Sequence, residues 1–364
     1  METLHPLVHE TEPVNLEWPV PHRGEWLTPA ARFFERNHFR RPDPSPKPPT
    51  LAVEGAVRRS LSLGLHDLRH MGALSRWVTI ECSGNRRSLF VPPAEGTPWR
   101  DGAVGNAEWI GVPLRTVLLR AGLAEGAAWV RFTGADEGRH KETGQRVHFE
   151  RALPVNYALN PDVLLAWAMN GEPLPHKHGG PLRLIVPGWY GMASVKWLTR
   201  VEVRTQPFRG PFQVRDYVYL PAPGAYDRAT PVTLGRVSSI ITHPSTGAAV
   251  PPGNLLVSGL AWSGEAPVAR VEVSADQGAH WQPAELLEPA ARYAWRRWEC
   301  LLTGLTPGNV EILARATDAA GRTQPRQAEW NAKGYGNNQM PQVPLTVTRR
   351  PAPAPSRPTR APLR

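Results

Sequence analysis

The chain has 364 residues, 41% of them hydrophobic, which is too long for one ordinary core and points to two domains. No run approaches the roughly 18–20 apolar residues that span a bilayer, and the N-terminus has no basic-then-apolar leader; the expectation is a cytoplasmic protein, or a periplasmic one if an export signal has been removed. The net charge of +10 suggests nucleic acid, but residues 348–364 alone hold five arginines and no acid, so that Pro/Arg stretch reads as a disordered tail and the mildly basic remainder suits a small anion as well as it suits nucleic acid.

Residues 1–30 read as an extended, loop-like segment with Pro6, Pro13, Pro19 and Pro21, and Pro29–Glu35 as a single helical turn. Arg41–Pro49 is a proline-rich connector. Leu51–Leu68 reads as a hairpin turning near Gly55 and leading into a short helix near His66–His70. Gly111–Leu123 has helical periodicity ending at Gly122, and Ala127–Asp136 reads as a strand. Asn160-Pro161-Asp162 predicts a helix over Val163–Met169, with proline in its first turn. Pro181–Val203 reads as a buried strand, a glycine-rich loop and a second strand. Strands and short helices without a regular βαβ repeat indicate an α+β domain over 31–230. Over 231–347, short alternating strands with turn residues about every ten positions indicate an all-β, immunoglobulin-like sandwich.

The central stretch is VTIECSGNRRSLF (Val78–Phe90), a β-branched run that delivers Cys82 beside Arg86 and Arg87. Neighbouring cations favour the thiolate, the form that binds metals, whereas a lone cysteine is equally often a buried small hydrophobe. The only other cysteine, Cys300, falls in the other domain, so a disulfide is not expected.

The motifs ERNHF (Glu35–Phe39), CSGNRR (Cys82–Arg87), the spaced pair Trp99 and Trp109, and MNGEPLP…HGGPLRLIVPG (Met169–Gly188) occur in order. VKWL (Val195–Leu198), RDY (Arg215–Tyr217), AWRRW (Ala294–Trp298) and WNAKGYGNN (Trp330–Asn338) follow. In this order they resemble the sulfite oxidase family of molybdenum enzymes over roughly residues 24–345. The resemblance implies a molybdopterin-binding α+β domain followed by an immunoglobulin-like dimerisation domain, hence a homodimer. It also implies a molybdenum–molybdopterin cofactor with Cys82 as the metal ligand, a soft thiolate for a metal already held by sulfur.

By the same resemblance, Asn37, His38, His178, Arg183, Ser194 and Lys196 hold the pterin and its phosphate. Sulfite, or a similar small oxyanion, would be gripped by Arg36, Arg87 and Arg296, with Trp99 as wall and Tyr217 as hydrogen-bond donor, because guanidinium forks suit oxyanions. Asp216 would orient this set. No CxxCH motif is present, so no haem is expected, and electrons would pass to oxygen or a separate cytochrome. Where animal members of the family carry a lysine shortly before the pocket tryptophan, Glu95 stands here, a carboxylate that would repel an anion. The alternatives weighed are an S-oxide or N-oxide reductase, against which the pocket set and the sandwich argue, and a nucleic-acid-binding protein.

Overall fold

The computed structural model describes residues 5–19, 25–44 and 50–348, so the tail beyond Thr348 lies outside the described residues. The first domain holds two antiparallel-rich sheets. One runs Glu172–Pro173, Leu164–Met169, Val104–Pro113, Leu74–Glu81, with Arg183–Ile185 also pairing Leu164–Met169. The other runs Leu61–Gly64, Thr50–Gly55, Leu198–Arg204, Trp129–Arg139, Arg146–Pro154; the Thr50–Gly55 and Leu198–Arg204 strands are parallel. The α component is small: helices Leu65–Arg69, Leu114–Ala121 and Val155–Ala158. Leu114–Ala121 buries Leu114, Val117, Leu118 and Ala121 at helical spacing and stops at Gly122, whose positive φ of 72° lets its N–H reach back to Leu118.

Two expectations are corrected. Val163–Met169 is not a helix: Leu164–Met169 is a strand, buried along nearly its whole length. A short continuous apolar run fits a doubly covered strand as well as a helix, and here two neighbouring strands claim its backbone. The N-terminal segment is not wholly loop-like either. Leu7–Thr11 and Val14–Glu17 form a hairpin, and Leu16 exchanges both backbone hydrogen bonds with Glu35. That hairpin therefore fixes the strand-like entry into Arg36–His38.

The second domain is a sandwich. One sheet runs Ser238–His243, Gly253–Trp262, Arg296–Leu305, Glu285–Leu287, and the other Ala249–Val250, Gln342–Val347, Gly308–Asp318, Val268–Ser274, Gln282–Pro283. Their inward residues, among them Val257, Val271, Val273, Trp298 and Ile312, are fully buried, and most of their neighbours along the strands are less so. The domains join beside Cys82. Trp262 donates its indole N–H to Glu81 at 2.9 Å, and the Trp295 backbone N–H donates to Thr79 Oγ1 at 2.7 Å. Arg86 completes the seam: it sits in the left-handed region (φ 63°), pairs with Asp101 at 3.0 Å and donates to the Gln339 carbonyl at 2.9 Å. Among the described residues, no helix is long and apolar enough to cross a membrane.

Candidate active site

The strand Leu74–Glu81 ends at the domain seam and delivers Cys82 into a cavity. Eight of the residues that line it with Cys82 come from four segments: Arg36, Asn37 and His38; His178 and Arg183; Ser194 and Lys196; and Tyr217. Thus nine residues expected at a cofactor or substrate site meet in one cavity.

The cavity is cationic and poorly neutralised. Arg183 is buried and donates to the carbonyls of His178 (2.7 Å) and Ser194 (3.0 Å), over the face of Trp109. Burial alone pulls its guanidinium down to about 9, and its Nε has no partner. His178, bonded to the Ala30 carbonyl at 2.7 Å, is lowered to about 3, mainly by burial and further by Lys177, Arg183 and Lys196. Lys196 donates to Asn37 Oδ1 and faces the Asp136 carboxylate; burial pulls the lysine down and the carboxyl up. Arg36 caps the other end, held above its ordinary value because the pull of Tyr217 and Cys82 outweighs burial.

At that end His38 meets the Tyr217 hydroxyl at 2.7 Å. Burial, then the charge of Arg36, holds His38 far below the usual imidazole range, so the ring is neutral. Burial also raises Cys82, and the opposing influence of Arg36 and Arg87 is smaller. Arg36 and Arg87 therefore do not by themselves make a thiolate, contrary to the charge argument from sequence, which placed Arg86 and Arg87 beside it. A bound metal cation would.

Three expected residues stand behind the cavity wall. Arg87 is caged: its Nη1 donates to the Thr97 carbonyl at 2.8 Å and its Nε to the Lys333 carbonyl at 3.1 Å, and Tyr335 lies across its guanidinium. The cage needs glycine. A Cβ on Gly84 would come within 2.7 Å of Arg87 Nη2, and one on Gly334, at φ +61°, within 2.8 Å of its Cγ. Trp99 is fully buried in the cluster that includes Cys82, edge-on to His9. Asp216 accepts from His140 Nε2 at 3.1 Å, beneath the Tyr217 turn.

Arg296 is a correction. It begins the strand Arg296–Leu305, does not line the cavity, and its nearest carboxylate is Glu288 at 3.8 Å. Arg296 lies two residues before Trp298, on the same face of the strand but at its first position, outside the sandwich core. The second domain reaches the site through Lys333–Gly336 instead. The Gly336 N–H donates to the Ser83 carbonyl at 2.8 Å, and Tyr335 stacks on Tyr217 at 5.6 Å. Glu95 is exposed and does not line the cavity.

Sequence reasoning gave no role to Asp136, to Tyr335, or to Arg151. Arg151 is 1% exposed, lies over the Tyr217 ring at 5.3 Å and is lowered to about 10 by burial. Tyr335 lies within a motif already singled out, but that motif carried no signal of which side chain faces the first domain.

Residues 38–212 match the oxidoreductase molybdopterin binding domain, and residues 232–348 match the Mo-co oxidoreductase dimerisation domain. The chain belongs to the sulfite oxidase family of molybdopterin-dependent oxidoreductases. It is 38% identical to a sulfite oxidase of Gallus gallus over 353 residues, covering 90% of this chain and 75% of that protein. It is 37% identical to the mitochondrial sulfite oxidase of Rattus norvegicus, over 93% of this chain and 65% of that protein's length. The crystal structure of the sulfane dehydrogenase SoxCD from Paracoccus pantotrophus superposes with a TM-score of 0.80 at 28% identity, over 94% of this chain and 88% of that one.

The donor set fits the family's cofactor. A buried thiol provides one soft ligand. Arg183 and Lys196 provide charge that no protein carboxylate fully balances, as a phosphate requires. Ser83 Oγ and Arg183 Nε are buried without partners, and both residues line the cavity. Gly191 lets the backbone come close: a Cβ there would meet Ile80 at 2.9 Å.

Proposed function

We propose that this protein oxidises sulfite to sulfate at a molybdenum–molybdopterin centre ligated by Cys82, and hands the electrons to an external acceptor, oxygen or a separate cytochrome. The observation that carries the reading is one buried thiol facing a cavity of partly neutralised cations, with a phenol opposite. Sulfite and water give sulfate, two protons and two electrons. The bound cofactor supplies the oxygen-atom transfer and stores the electron pair.

The chain's own residues have separable tasks. His178, Arg183, Ser194 and Lys196, with Asn37 fixing the lysine, hold the pterin end. Arg36 supplies a permanent charge for the oxyanion inside a cavity that excludes most water. Arg87, locked by two segments, adds a second fixed charge from behind the wall and holds Tyr335 in place. Tyr217 has one hydrogen bond committed to neutral His38 and presents its remaining valence to the anion.

The reading carries no haem in this chain: its two cysteines, Cys82 and Cys300, give no pair for haem attachment. It also carries a homodimer formed through the second domain, and a soluble compartment, cytoplasmic or periplasmic. The test is a molybdenum and pterin assay on purified protein together with sulfite-dependent reduction of ferricyanide or cytochrome c and O₂ uptake. About one molybdenum per chain and sulfite-dependent reduction are expected. Folded protein made in a molybdenum-replete host with neither metal nor pterin, or loaded protein inert to sulfite, overturns it.

A further inference from the structure

One cluster at the outer edge of the site has no task in that scheme. The Glu142 carboxylate meets three donors: Lys333 Nζ at 2.7 Å, Tyr226 OH at 3.1 Å and Arg215 Nε at 3.2 Å. Both cations lean on the same ring, with Arg215 4.8 Å and Lys333 5.6 Å from the centroid of Tyr226. The Glu142 side chain is 35% exposed, so the cluster opens to water.

Three of the four segments that meet here also brace the edge of the cavity. The Lys333 carbonyl accepts from Arg87, and Tyr335, two residues on, stacks on Tyr217. Arg215 directly precedes Asp216 and Tyr217. His140, at the start of the Glu142 loop, holds Asp216. The other charged group beside this point, Asp216, is already engaged by His140.

Two cations and a phenol hydroxyl on one carboxylate leave one positive charge unbalanced. They also converge in the number and kind that a tetrahedral oxyanion takes. We infer that Lys333, Arg215 and Tyr226 form an outer subsite for a small doubly charged oxyanion, and that Glu142 is its internal occupant, displaced when the anion binds. The inference rests on the proposed function only for the identity of that anion, substrate inbound or product outbound. Glu142 acts here as a specificity-setting residue: it weakens binding of every singly charged competitor and yields to a dianion that the same three donors hold more strongly.

The probe is sulfate, read by the shift of the melting temperature at fixed ionic strength, alongside the KM for sulfite. In Glu142→Gln, sulfate should bind about three- to fivefold more tightly and the KM should fall by a similar factor, a gain that shrinks as salt rises. Adding Arg215→Gln to that variant should return both toward the starting values, which places the effect at this cluster and not at Arg36. Unchanged sulfate affinity and KM in Glu142→Gln overturn the inference, as does tighter binding that survives Arg215→Gln. The sulfate arm needs no turnover, so a protein inert to sulfite would sink the proposed function while this result still stood or fell alone.

Discussion

The cavity of the first domain and the core of the second bury their residues on opposite principles. The sandwich core is Val257, Val271, Val273, Ile312 and Trp298, side chains with almost no exposure and no polar atom but the unpartnered Trp298 indole N–H, and its ion pairs, such as Arg315 with Glu272 at 3.0 Å, lie at its surface. The cavity buries Arg183, His178 and Ser83 and leaves polar atoms of Arg183 and Ser83 without partners. A fold optimised only for its own stability does not keep an arginine whose partners are neutral carbonyls, because an uncompensated buried charge costs several kcal/mol. The sandwich stabilises the chain, and the cavity holds an arrangement that only an anionic guest satisfies.

Breaking the two regions should therefore give different losses. The largest effect on function belongs to Cys82. Cys82→Ser should lower sulfite turnover by more than about a hundredfold, beyond what loss of an outer-shell partner costs a metal site. It should still retain pterin, because the phosphate-end residues are untouched, and fluorescence of the released pterin checks this. Unchanged turnover would remove Cys82 as the ligand. The largest effect on stability belongs to Trp298, fully buried between the sheets. Trp298→Ala should cost about 3–5 kcal/mol in denaturant unfolding. The second domain also carries Tyr335 and Lys333, so the damage should reach the site as a loss of activity before the first domain unfolds.

Arg183→Met sharpens the contrast. In a stabilising core, deleting two hydrogen bonds is expensive. Here relief of the buried charge offsets the loss of the bonds to the His178 and Ser194 carbonyls. The cofactor-free protein should change stability by less than about 1 kcal/mol, while pterin retention falls at least about tenfold. Destabilisation as large as that of Trp298→Ala would mean that Arg183 is a structural brace.

Legibility in the sequence followed the same division. Residues whose role is local were readable. The β-branched run before Cys82, the alternation of the sandwich strands and the glycine stop at Gly122 each reflect a few neighbouring positions. The motifs also named Arg36, Asn37, His38, His178, Arg183, Ser194, Lys196 and Tyr217, which the fold brings into one cavity with Cys82. What failed were choices between adjacent residues made by distant contacts. AWRRW offers two arginines on one strand, and nothing local says that neither reaches the cavity. WNAKGYGNN reaches the site because the Gly336 N–H meets Ser83, more than two hundred residues away in the chain. Arg151 was invisible for the same reason: its significance is the Tyr217 ring beneath it. Leu164–Met169 was misread because burial on both faces erases the periodicity that separates a strand from a helix.

The last predicted effect tests whether the cavity is as dry as its burial indicates. His178 is lowered to about 3, below the roughly 6.5 of an imidazole in an unfolded chain. Between those values the unfolded chain binds a proton that the folded chain excludes. Stability of the cofactor-free protein must therefore fall as pH drops from about 6.5 toward 3, by at most about 1.4 kcal/mol per pH unit from this residue. His38, lowered by burial and by Arg36, contributes with the same sign. In His178→Gln the amide still reaches the Ala30 carbonyl but cannot titrate. Chemical unfolding from pH 8 to 4 should show the two proteins keeping a constant difference above pH 7 and converging below 6, as the histidine's share of the acid loss disappears. Parallel curves over the whole range would mean that the folded protein accepts the proton at His178, and that water already occupies the place assigned to the anion.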